Sequence, residues 1–140
     1  MEVLRKGADG AILAYGHMVK TALEAARLLE ADGIQVEVVN ARFVKPLDHA
    51  GVLQLAERHD RILTLEDHVI AGGFGSAVLE SLAAQDPPRA QGPVRAQVQV
   101  LGLPDRFLEH ASREELLAEL GLDAKGVAAK FRTFKPVAAH

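Results

Sequence analysis

From Ala11 to Leu101 the chain alternates short apolar runs with stretches whose apolar residues recur every three or four positions, and this alternation limits the possible folds more than any other feature. The runs at 11–15, 36–39, 61–65 and 98–101 have strand length. Between them, Met18, Ala22, Ala25, Ala26 and Leu29 mark one face of a helix that ends near Asp32, with Gly33 as its stop. Val52, Leu55 and Ala56 mark a second helix over 48–58. Ala77, Val78 and Leu82 mark a third over 76–84, which Pro87 and Pro88 close. Strands that alternate with helices pair in parallel through right-handed crossovers, so helices cover both sheet faces. The expected class is α/β: a three-layer α/β/α sandwich around a five-stranded mixed sheet.

The first strand is the exception to parallel pairing. Val3 to Arg5 is separated from Ala11 by Lys6-Gly7-Ala8-Asp9-Gly10, whose glycines and Asp suit a reversal, and this predicts a hairpin with an antiparallel first strand. Beyond Pro88 the chain to Pro93 is rich in Pro, Gln and Gly and reads as an exposed loop. Ser112-Arg113-Glu114-Glu115 has the spacing of a capping box and starts one helix, and a last helix spans 123–134. One domain over 1–134 and a loose tail over 135–140 are expected. Hydrophobic residues make up 49% of the 140 and aromatics only 4%, so the core is built from Leu, Val, Ala and Ile.

Charge and composition exclude several function classes. Sixteen Lys and Arg against 19 Asp and Glu give a net charge of -3 with no basic stripe for a nucleic-acid backbone. The absence of cysteine excludes disulfide and thiolate chemistry and agrees with a reducing compartment. No apolar run approaches membrane-span length and no signal-peptide pattern opens the chain, so a cytoplasmic location is expected.

Four features could carry chemistry. Glu66-Asp67-His68 at a strand end, followed by Gly72-Gly73-Phe74-Gly75-Ser76 leading into a helix, could bare N–H groups to an anion. The spacing matches neither a dinucleotide fingerprint nor a Walker loop, and a sharp turn with close packing of the helix or of a partner surface explains the glycines better. His17 and His68 both follow strands and could meet Glu66 as an acid–base pair; polar loop residues are the plainer reading. Arg42, with Lys45-Pro46 after it, lies just beyond the third strand. It could meet a substrate anion or a carboxylate across a domain boundary, with Pro46 in the first turn of the following helix. Gly102-Leu103-Pro104-Asp105-Arg106-Phe107 reads as a turn anchored by Phe107. No spacing suits a metal site, and Ser76 lacks a nucleophile elbow.

Taken in order, Ala41-Arg42-Phe43-Val44-Lys45-Pro46-Leu47-Asp48, Glu66-Asp67-His68 with Gly72-Gly73-Phe74-Gly75-Ser76, and Gly102-Leu103-Pro104-Asp105 resemble the C-terminal domain of 1-deoxy-D-xylulose-5-phosphate synthases, in the transketolase group. The resemblance runs from about Val3 to Phe134. It implies a five-stranded sandwich that packs beside upstream catalytic domains and contributes to a homodimer. The implied parent activity is a transferase that condenses pyruvate with glyceraldehyde 3-phosphate in the non-mevalonate isoprenoid route, which also feeds thiamine synthesis. The family's thiamine diphosphate and magnesium belong to the upstream domains, so no catalytic, cofactor-binding or metal-binding residue is assigned here. Arg42, Lys45, Glu66, His68, Gly72, Gly73 and Gly75 stand as candidate interface or anion contacts. Two rival readings stay open: a free-standing small-anion-binding module, and a subunit that completes a split synthase in trans.

Overall fold

The structure, a computed structural model, describes residues 1–84, 94–106 and 112–136. In chain order its elements are β1 (Glu2–Arg5), β2 (Ala11–Ala14), α1 (Met18–Ala31), β3 (Glu37–Asn40), α2 (His49–Arg58), β4 (Arg61–Val69), α3 (Phe74–Ala83), β5 (Gln97–Leu103), α4 (Arg113–Glu119) and α5 (Ala124–Thr133). The strands form one sheet in the order β1-β3-β2-β4-β5. β2 is parallel to β3 and β4, β4 is parallel to β5, and β1 is antiparallel to β3.

The alternation in the central strand sorts the core into two layers. Ile12 and Ala14 face α1 and α5, where Met18, Ala22, Ala26, Leu29, Val127 and Phe131 are buried. Ala11 and Leu13 face the other way, toward Val52 and Leu55 of α2 and Phe74 and Val78 of α3. A strand buried on both faces must be apolar at every position, and all four residues of β2 are. The inward faces of α1 and α2 are the ones their spacing predicts. The N-cap residue's own side chain caps three helices. Asp48 accepts the Gly51 N–H at 2.9 Å, Ser112 the Glu115 N–H at 3.2 Å, and Asp123 the Gly126 N–H at 2.9 Å.

The hairpin expectation is wrong. β1 is the antiparallel strand, but β3 lies between it and β2. Five connecting residues reach roughly 17 Å when extended, well over two strand spacings of about 4.8 Å each, so the connection can step past a neighbour. It is tied across the start of β3: the Asp9 N–H donates to Gln35 O at 2.8 Å and the Gln35 N–H to Asp9 Oδ2 at 2.6 Å. The order places the exposed β1 at the edge and keeps the buried Val38 and Val39 of β3 inside.

Other boundaries move as well. β4 runs to Val69, four residues past its apolar run, and α3 starts at Phe74 rather than Ser76. Gly102 and Leu103 belong to β5 and not to a turn. Pro46 precedes the Asp48 cap and lies outside α2, with a cis Lys45–Pro46 peptide. Phe107 and the Pro-rich stretch to Pro93 fall outside the described residues. Among those described, no helix is long and apolar enough to cross a membrane.

Candidate functional site

The carboxyl ends of β2, β3 and β4 carry the loops in which the candidate residues lie. β2 sits where the chain order reverses, with β3 added on one side and β4 on the other, the position at which open α/β sheets form crevices. A groove of about 500 Å³ opens between the loop after β3 and the start of α3, lined by Lys45, Pro46, Gly72, Gly73, Ser76 and neighbouring residues of the 44–49 segment and α3.

Glu66, packed close against Gly73, is fully buried. Its Oε2 accepts the Phe74 N–H at 2.8 Å and its Oε1 the Gly75 N–H at 2.9 Å. A glycine at the helix N-cap offers no side-chain acceptor, so a carboxylate from the adjacent strand satisfies the first free amides of α3, where the helix dipole favours negative charge. A bulge makes this possible: Leu65 pairs with Leu101 and Val69 with Leu103, so β4 spends four residues where β5 spends two. The strand therefore does not end at Glu66, as its apolar run suggests, but bends there.

The glycines permit the approach. A Cβ on Gly73 would stand 2.5 Å from Glu66 Oε2 and 2.4 Å from Val69 O, and one on Gly75 would stand 2.3 Å from Val100 Cγ1. Gly72 has φ 68, the left-handed turn conformation. Ser76 Oγ donates to Ile70 O at 2.7 Å and closes the same turn.

The structure separates the other candidates. His17 is exposed at the start of α1 and its side chain makes no capping bond. His68 is exposed, with Nδ1 3.4 Å from Asp67 and its ring 6.0 Å from that of Tyr15. Neither imidazole pairs with Glu66 among the described residues. Asp67 is held by Arg113 of α4; burial pushes its carboxyl up, and the Arg113 hydrogen bond and charge, with His68, bring it below the ordinary value. Arg42 has φ 66, a conformation that costs a non-glycine residue roughly 1–2 kcal/mol, and its N–H donates to Asn40 Oδ1 at 2.9 Å. Lys45, Gly72 and Gly73 thus share the groove, and Arg42, Glu66, His68 and Gly75 lie outside its lining.

A polar cluster at the opposite end of the strands, where β3 begins and α2 ends, was not legible in the sequence. Glu37 Oε1 accepts Arg58 Nη2–H at 2.6 Å, and Oε2 accepts Arg58 Nε–H at 3.2 Å and lies 2.6 Å from His59 Nε2, a contact that places a ring proton on that nitrogen. The one hint was a Glu inside a β-branched run. Burial pushes the Glu37 carboxyl up, and Arg58 and His59 outweigh it and hold it below its ordinary 4.5. With Glu37 and Asp67 both depressed, the unfolded chain binds more protons as pH falls below the ordinary carboxylate range, so their stabilisation is complete above it and lost toward the lowered values. Melts from pH 7 to pH 3 are expected to show the midpoint falling below about pH 4.5, with a shallower acid limb in Glu37→Gln; equal limbs would exclude Glu37 as a source.

Among the described residues no group of three or more His, Cys, Asp or Glu is placed to hold a metal ion. Comparison with known proteins agrees with the architecture. The family model described as "Transketolase, C-terminal domain" matches residues 1–127. The chain is 50% identical over 133 residues to 1-deoxy-D-xylulose-5-phosphate synthase 1 of Geobacter metallireducens, covering 95% of this chain and 20% of that protein. It is 53% identical over 131 residues to the synthase of Thioalkalivibrio sulfidiphilus, covering 94% and 19%. The chain thus spans about a fifth of the length of these relatives. A solved structure described as "Split gene transketolase, inactive beta4 tetramer" superposes with a TM-score of 0.78 at 37% identity, over 93% of this chain and 40% of that one. A Pichia stipitis transketolase mutant, at 20% identity and a TM-score of 0.65 over 93% of this chain and 17% of that one, shares the fold. This chain belongs to the transketolase C-terminal domain family.

Proposed function

We propose that this polypeptide serves as the C-terminal domain of a 1-deoxy-D-xylulose-5-phosphate synthase, inactive alone and concerned with assembly of the catalyst. The observation that carries this reading is identity near 50% along almost the whole chain, confined to about a fifth of each synthase. In that setting the parent enzyme condenses pyruvate with glyceraldehyde 3-phosphate as a cytoplasmic homodimer. Residues 1–134 are the functional unit and 135–140 a tail. The Arg61 hydrogen bond to Phe134 O supports a boundary just after that residue.

The residues present do not fit thiamine diphosphate with magnesium. A diphosphate approaching the start of α3 would find its amides already donated to Glu66 and would meet a buried negative charge. No step of the reaction is therefore assigned to this chain. The split-gene transketolase supports a second reading, in which the domain completes a synthase from a separate chain.

Calorimetric titration with thiamine diphosphate and magnesium, followed by a pyruvate plus glyceraldehyde 3-phosphate assay, is expected to give neither binding nor turnover. Saturable binding or turnover by the unmutated chain would overturn the non-catalytic reading in favour of a ligand site at the groove.

A further inference from the structure

We infer that Arg42 and Phe43, with the adjoining groove, form the surface on which the catalytic remainder of the synthase is seated, an assignment that rests on the function proposed above. Phe43 is 64% exposed, the most exposed large apolar residue described. Its backbone is nonetheless held in place: Arg42 before it adopts the left-handed conformation, the Arg42 N–H donates to Asn40 Oδ1, and the Phe43 N–H donates to Ala41 O at 2.8 Å. A strained backbone that presents an aromatic ring to water is a feature of interaction surfaces, where a pre-set backbone loses little freedom on docking.

Charge sets the chemistry of the partner. Among the described residues the Arg42 guanidinium and the Lys45 ammonium form no ion pair, although Asp48 is near in sequence and Glu66 and Asp67 lie toward the carboxyl end of β4. Asp48 accepts from the amino group of Met1 and from the Gly51 N–H, Glu66 from the α3 amides, and Asp67 from Arg113. The surface therefore fits a partner that offers an apolar recess for Phe43 and a carboxylate for Arg42. About four fifths of each synthase lies outside the region that matches this chain, so a partner of domain size is part of the same enzyme. Two cations beside an exposed ring are too few for a nucleic-acid backbone.

The test is a chimera in which this chain replaces the matched fifth of the Geobacter metallireducens synthase. Turnover is read together with amide exchange at residues 41–46, in the chimera and in the free chain. Phe43→Ser and Arg42→Glu are each expected to lower turnover at least tenfold, and exchange at 41–46 to be slower in the unmutated chimera than in the free chain. The paired control Val3→Ser with Leu4→Ser, on the exposed β1 edge, is expected to stay within twofold. Free-chain variants should melt within about two degrees of the wild type, which separates docking from folding. An active chimera insensitive to Phe43 and Arg42, with exchange as fast as in the free chain, would overturn this surface and leave the proposed function standing. A folded but inactive wild-type chimera would overturn that function and this assignment with it. A free-chain dimer that Phe43→Ser converts to monomer would give the surface to a second copy and overturn the proposal.

Discussion

Glu66→Ala is expected to destabilise the free chain by about 3 kcal/mol, read as a lower midpoint in urea with an unchanged slope. The loss has two sources. The Phe74 and Gly75 N–H groups become buried donors without an acceptor, and the negative charge that complements the α3 dipole disappears. Glu66→Gln keeps one carbonyl oxygen but turns an NH2 group toward an amide, so its midpoint should fall between the two. Gly73→Ala provides an independent check, because its Cβ would displace Glu66 Oε2 and press on Val69 O. A wild-type midpoint in Glu66→Ala would mean that the two amides find other acceptors, and the capping role would be lost.

Phe131→Ala is expected to cost about 3–5 kcal/mol, the range for emptying a buried aromatic site. The ring is fully buried between α1 and the sheet, and the Arg61 guanidinium stands 4.2 Å from its centroid. Arg61 also donates to three backbone carbonyls: that of Asp9 in the β1–β2 connection at 2.7 Å, and those of Phe131 at 3.2 Å and Phe134 at 2.5 Å at the end of α5, where carbonyls lack helical partners. Burial holds the Arg61 pKa below its ordinary value, with the Asp9 charge acting against this, so the cation is retained by its acceptors and the ring face. Removing the ring should therefore loosen α5 from α1 first. Amide exchange is expected to rise across 124–133 before it rises in α2 or α3, and a uniform rise would show that the two core layers unfold as one unit.

Most helix positions, the inward faces of α1 and α2 and the Ser112 cap were legible in the sequence because they depend on residues within one or two turns of each other. Met18, Ala22, Ala25, Ala26 and Leu29 lie on one stripe whatever they pack against, and Ser112 caps an amide three residues away. The ordered motifs from Ala41 to Asp105 pointed to the family for a similar reason, since they are a property of the linear chain. Strand order was not local. A five-residue connection permits either a hairpin or a step past one strand, and the choice fell to β3, whose Val38 and Val39 are buried only when both of its edges are paired. The site followed the same division. The glycines at 72, 73 and 75 announced a tight turn, but the source of the α3 cap depended on a bulge that exists only once β4 pairs with β5. The exposure of Phe43 likewise became visible only in three dimensions, because an apolar residue between Arg42 and Val44 reads as core until the backbone turns it outward.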